Sequence, residues 1–307
     1  MSATQSPHLP QATSTPHLET YPLTISKILM ATDLSQASIP AAKYASRLAK
    51  QLHGKLELLH IVPPELYIAR PAMLSAELQK AELARGKADL HDFASKIPEL
   101  RTCRHHEIVL CGATAEAIVE TAEQRGADLL VMGSHGRSGT RKLALGSIAE
   151  EVIRRSHRPA IVIGPGCAQA YATQKSVLLA VNLPLRSLRA AQYAFSIARQ
   201  SGAVMTIAHV LPAESSQADS AIRSNTRRTL LSLVPRDARP SKDIHIEVTH
   251  GDVPEEILRI AQERQAGLIV IGPRERAILA DHAPGAVLSK IIRKAKCPVL
   301  AITPHIC

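Results

Sequence analysis

The apolar residues of the chain alternate between two spacings. Ser26–Ala31, Lys55–Val62, His105–Leu110, Asp128–Met132 and Ala160–Ile163 are short runs rich in Ile, Leu, Val and Met. They are long enough for buried strands and too short for helices. Between them, Ser35–Leu52, Ala72–Lys96 and Thr114–Gln124 space apolar residues three and four apart, the repeat of a helix with one face in a core. Gly54 follows the first helical run and Pro63-Pro64 breaks the second strand, so the punctuation agrees with the spacing. A last helix over Ile148–Arg155, with Ser147 placed to cap it, leads into the closing strand. Alternating strands and helices predict an α/β fold in which right-handed crossovers cover both faces of a parallel sheet.

The same order then returns. Ala41-Ala42-Lys43-Tyr44-Ala45 reappears as Ala190-Ala191-Gln192-Tyr193-Ala194, and His60-Ile61-Val62 as His209-Val210-Leu211, both at an offset of 149. Further on, Gly112, Glu116, Gly133, Gly146, Pro159 and Pro165 match Gly251, Glu255, Gly272, Gly285, Pro298 and Pro304 at an offset of 139. The second copy has lost ten residues between its second strand and Gly251. A duplication of this length predicts two doubly wound domains, 24–166 and 173–307, behind a disordered leader over 1–23. The closing strands, Ala160–Ile163 and Val299–Thr303, are apolar enough to pair edge to edge and hide both edges from solvent.

The candidate chemistry lies after the fourth strand of the first copy. Gly133, Gly136, Gly146 and Ser147 form a strand–loop–helix segment in which glycines expose backbone N–H groups beside a helix N-terminus, an arrangement suited to phosphate. Ligands of such sheets bind beyond the carboxyl ends of strands where strand order reverses, and Asp33 and Gly133 both fall just past strand ends.

Composition narrows the classes. The net charge of +10 is spread evenly, with 19 basic and 15 acidic residues over 24–165, so it reads as a solvated surface rather than a nucleic-acid stripe. Aromatics make up 2% of the chain, too few for base-stacking platforms. Five cysteines with no Cys-x-x-Cys pair argue against a disulfide framework and for a reducing, cytoplasmic setting. No apolar run is long enough to span a bilayer.

These residues carry a family resemblance. The spacing Gly-x2-Gly-x9-Gly-(Ser/Thr) is met by Gly133, Gly136, Gly146 and Ser147. With it stand Thr32-Asp33 after the first strand, His60-Ile61-Val62 in the second and Pro159-Ala160-Ile161-Val162-Ile163 at the end. On these marks the chain resembles a tandem universal stress protein, over nearly all of Ile25 to Pro304. The resemblance implies two five-stranded parallel sheets of order 3-2-1-4-5, the adenine nucleotide alpha hydrolase-like arrangement, and ATP, alone or with Mg²⁺, as ligand. It implies ribose binding by Asp33 and an adenine pocket lined by Ala31, Thr32 and Ile61. Met132 and Gly133 would flank the ribose and α-phosphate, His135, Gly136 and Arg137 would border the phosphates, and Gly146, Ser147 and Ile148 would hold their far end. It also implies pairing through the closing strands, and a further homo-oligomer would be a dimer of tandem chains.

The second copy departs from the pattern: Asn182 stands for Asp33, Glu275 for Gly136 and Ala286 for Ser147. A carboxylate aimed at a phosphate site repels it, so one working site, in the first copy, is expected. Blander roles remain for single residues: Asp33 as a helix cap, His135 as a solvated loop residue, Cys103 with His105 as a surface thiol and imidazole, His60 and His209 as structural. No catalytic constellation or metal-ligand set stands out. A stress-response regulator with little turnover is therefore expected, against two other classes: a slow ATPase or phosphotransferase, and an interaction protein independent of nucleotide.

Overall fold

A computed structural model describes residues 23–64, 72–136, 145–167, 175–183, 188–213, 220–238, 243–272 and 285–302. The expected leader lies outside them apart from Leu23. The first copy runs β1 (Lys27–Thr32), α1 (Ile39–Gln51), β2 (Lys55–Val62), α2 (Ala72–Ser95), α3 (Pro98–Arg101), β3 (His105–Cys111), α4 (Thr114–Gln124), β4 (Leu129–Gly133), α5 (Ser147–Arg155) and β5 (Ala160–Ile163). The second follows with β6 (Ser176–Ala180), α6 (Leu188–Ser201), β7 (Val204–Leu211), α7 (Ser220–Ser232), β8 (Ile244–His250), α8 (Val253–Glu263), β9 (Leu268–Ile271), α9 (Gly285–Lys294) and β10 (Val299–Ala301). The lost residues of the second copy fall largely on one helix, since α2 has 24 residues and α7 has 13.

All ten strands form one sheet of order β3-β2-β1-β4-β5-β10-β9-β6-β7-β8. Each copy is parallel throughout and has the 3-2-1-4-5 order. The seam is antiparallel, with Val299 opposite Val162, Leu300 opposite Ile161 and Ala301 opposite Ala160. The closing strands do pair edge to edge. Central strands are apolar along their whole length because helices cover both faces. Thus Ile28 and Met30 enter the core beneath α1, while Leu29 and Ala31 enter the one beneath α4 and α5. Both cores continue across the seam into the second copy.

Side chains reinforce the seam. Tyr193 Oη on α6 donates to the Asp128 carbonyl at 3.3 Å, and Arg189 Nη2 to the His157 carbonyl at 2.6 Å. Asp128 Oδ2 in turn accepts from the N–H groups of Ser26 and Lys27 at 2.8 and 2.9 Å, tying the start of β1 to that of β4. At the far edge, Arg223 and Arg227 of α7 donate to the carbonyls of Val248 and Ile246, so part of the edge strand is already satisfied.

Two expectations change in detail. The helix expected from Ser35 opens as a 3-10 turn, Gln36–Ser38, and becomes α-helical only at Ile39. Ser147 is the first residue of α5 rather than its cap: Gly146 is the N-cap, extended at φ −70 and ψ 149, and its carbonyl accepts from Glu150 N–H at 2.9 Å.

The copies differ in how they satisfy a polar group on a buried strand. Glu57 on β2 is buried and pairs with Arg125, whose Nη2 lies 2.7 Å away. Its counterpart Thr206 is fully buried with its hydroxyl unpartnered, and Arg264, the counterpart of Arg125, turns to Glu247. An unpaired buried hydroxyl costs about 1–3 kcal/mol. Thr206→Val should therefore raise stability by roughly 1 kcal/mol, read as a higher urea midpoint at unchanged slope. Burial also pushes the Cys167 thiol up to about 11 and the Cys297 thiol up to about 12, leaving both protonated at neutral pH. A maleimide at mildly alkaline pH should label the part-exposed Cys111 in the native protein and reach Cys167 and Cys297 only after unfolding, as peptide mapping would show.

Candidate functional site

β1 and β4 are parallel neighbours at the point where the strand order of the first copy reverses. Beyond their carboxyl ends the chain from β1 passes to the face covered by α1, and the chain from β4 to the face covered by α5. The gap between such departing segments is the usual ligand position in open α/β sheets.

On the β1 side, a tight turn presents Asp33. Asp33 Oδ1 accepts from Ser35 twice, from N–H at 3.1 Å and from Oγ at 2.7 Å. Leu34 adopts φ 64, a left-handed backbone that costs a side chain with a β-carbon roughly 1–2 kcal/mol. Its N–H is held by Thr32 Oγ1 at 3.0 Å. Asp33 thus bonds the turn beneath it, while Ser38 is the residue that precedes α1; capping of that helix is not its role.

On the β4 side, the glycines sit where backbone segments nearly touch. A β-carbon on Gly136 would lie 2.7 Å from Asp33 Oδ2, so the loop passes directly against the carboxylate. One on Gly133 would lie 3.3 Å from the His135 carbonyl and 3.6 Å from that of Ala37, in the 3-10 turn before α1. One on Gly146 would lie 3.0 Å from the Ser134 carbonyl, which accepts the Gly146 N–H at 2.8 Å. That bond ties the entrance of the loop to its exit. Ser134 is buried, its N–H donates to the Ile163 carbonyl at 2.9 Å, and its Oγ lies 2.9 Å from His135 Nδ1.

Asp33 and Gly136 therefore meet. Ala31, Ile61 and Met132 are buried in one core cluster, on the same face of the sheet as Leu145 and Ala149. Thr32 is buried, and its carbonyl is 2.9 Å from His60 Nδ1, which fixes the histidine structurally; His209 makes the same contact with the Val181 carbonyl at 2.8 Å. Ser147 and Ile148 are exposed on the first turn of α5, whose leading N–H groups have no acceptor within the helix. Arg137 lies outside the described residues. His105 Nδ1 lies 2.9 Å from the Cys103 carbonyl, and among the described residues no group of three His, Cys, Asp or Glu side chains is arranged to hold a metal ion. The sequence reading passed over Ser35 and Ser38. The signal for Ser35 lay in the duplication, where Pro184 replaces it, whereas Ser38 recurs as Ser187.

The universal stress protein family model matches residues 24–164 and again 174–303. The chain belongs to the universal stress protein family. A universal stress protein of Methanocaldococcus jannaschii is 35% identical over 137 residues, which is 45% of this chain and 81% of that protein. One from Mycolicibacterium smegmatis is 22% identical over 289 residues, 91% of this chain and 97% of its own length. In fold, the crystal structure of a universal stress protein from Archaeoglobus fulgidus superposes with a TM-score of 0.68 at 20% identity, covering 92% of this chain and 99% of that one. No helix among the described residues is long and apolar enough to cross a membrane.

The crowding at Gly146 has a measurable consequence. Gly146→Ala should destabilise the protein by about 1–3 kcal/mol, because the new methyl meets a backbone carbonyl that is itself hydrogen-bonded. Thermal unfolding without added ligand checks this.

Proposed function

We propose that this tandem universal stress protein binds ATP in its first copy and acts as a cytoplasmic stress-response regulator with one working site and little or no turnover. The close approach of Gly136 to Asp33 carries the reading, because it places a carboxylate against a glycine loop at the strand-order reversal. An ionised carboxylate only accepts hydrogen bonds, which suits the two hydroxyls of a ribose. Ala31, Thr32 and Ile61 then line the adenine, and Met132 and Gly133 flank the ribose and first phosphate. His135, Gly136 and Arg137 border the phosphates, with Gly146, Ser147 and Ile148 at their far end, where the α5 N-terminus favours negative charge. The cradle fits a phosphate chain because side chains are missing where the backbone comes closest.

The same logic removes the second copy from binding. Asn182 cannot offer the acceptor-only carboxylate, and Glu275 would set a negative charge at the phosphates. Occupancy of the one site alters the surface around it and so shifts an equilibrium with a partner or a second chain, by as much as the two states differ in affinity for the nucleotide.

Nucleotide released from the purified full-length protein should approach one ATP per chain, and Asp33→Ala with Gly136→Glu should carry none. A protein that is empty and takes up no added ATP would sink the reading in favour of an interaction protein independent of nucleotide. Phosphate release by the wild type above that double variant would sink the low-turnover part alone.

A further inference from the structure

The turn that carries Asp33 is held by three hydroxyl groups whose protons can be assigned. Ser38 Oγ donates to the Ser35 carbonyl at 2.8 Å, so its single proton is used. The 2.9 Å contact between Ser38 Oγ and Thr32 Oγ1 must then be donated by Thr32, whose oxygen still accepts the Leu34 N–H. Ser35 Oγ donates separately to Asp33 Oδ1. Every hydroxyl donates once: those of Thr32 and Ser38 act in series on the Ser35 carbonyl and so hold the turn, and that of Ser35 acts on the carboxylate. Thr32 and Ser38 are buried, so water does not compete for them.

The second copy lacks two of the three hydroxyls and keeps Ser187 where Ser38 stands. Val181 stands for Thr32 and has no hydroxyl; Pro184 stands for Ser35 and has neither hydroxyl nor N–H. Leu183, the counterpart of Leu34, does not share its left-handed backbone. The strained turn and the hydroxyls of Thr32 and Ser35 are present in the copy with the intact glycine loop and missing from the other. Holding a strained turn in only one of two otherwise equivalent copies marks it as functional rather than architectural. An Asx turn alone would need only the Ser35 N–H.

We propose that Thr32, Ser38 and Ser35 are positioning residues that pin Oδ1 of Asp33, so that its carboxylate meets the vicinal diol of a ribose in one orientation. This rests on the reading of Asp33 as the ribose acceptor. Without the Ser35 hydroxyl, Oδ1 loses the shorter of its two bonds to Ser35, and the carboxylate is held less firmly when ligand arrives, which weakens binding.

The test compares ATP with 2′,3′-dideoxy-ATP on the full-length wild type, Ser35→Ala, Thr32→Val and the conservative Ser35→Thr. The wild type should prefer ATP. Ser35→Ala should lose about tenfold in affinity for ATP, the loss expected for one hydrogen bond to a charged group, and little for the dideoxy compound. Thr32→Val should shift the preference in the same direction, and Ser35→Thr should restore it. Equal weakening toward both nucleotides would mark a structural role and overturn the proposal, as would a Ser35→Ala protein that discriminates as well as the wild type. A wild type that binds both nucleotides alike would instead overturn the ribose role of Asp33, and one that binds neither would overturn the site and the proposal together.

Discussion

The antiparallel pairing of β5 with β10 is the constraint on which the rest of the molecule depends. Each strand is apolar and buried on both faces, so neither could stand as an open edge without inviting association. Joined, they make one sheet of ten strands and let both cores run across the seam. Because the seam is antiparallel while each copy is parallel, the carboxyl ends of the two sets of strands point in opposite directions. The two strand-order reversals therefore lie at opposite ends of the sheet.

The duplication separates architecture from chemistry without any outside comparison. Features that serve the fold recur in both copies. His60 and His209 bond equivalent carbonyls, and Arg155 with Glu116 has its counterpart in Lys294 with Glu255. Left-handed residues end the matched helices, with His53 answering Gly202 and Gly126 answering Gln265. Thr32, Asp33, Ser35 and Gly136 do not recur in identity. What one copy has lost without losing its fold is not needed for folding.

Much of this was legible in the sequence, for physical reasons that can be named. Lys55–Val62, Thr114–Gln124 and Ala160–Ile163 have the bounds read from the apolar spacing, because Gly, Pro or a polar turn stands at their ends. The seam was legible because two all-apolar closing strands must find partners. The start of α1 was not, since a 3-10 turn and an α-helix share the same first residues until hydrogen bonding decides between them. Nor was the cap of α5, where the extended backbone of Gly146 fills a position that side-chain chemistry assigned to Ser147. Glu57 reads as a misfit in a buried strand until Arg125 is found across the fold. The direction of a hydroxyl proton is set by three-dimensional neighbours, so the wiring beneath Asp33 could not be read from spacing.

After β5 the chain crosses the last turn of α9 so closely that a β-carbon on Gly164 would overlap the Ile292 carbonyl, and one on Gly166 that of Ala295. One residue before this crossing, the Ile163 carbonyl accepts the N–H of Ser134, at the mouth of the glycine loop. A helix of the second copy is thus braced, through two backbone contacts, against the hinge of the loop in the first. The second copy works as a buttress for the strand end beside which the glycine loop of the first copy departs.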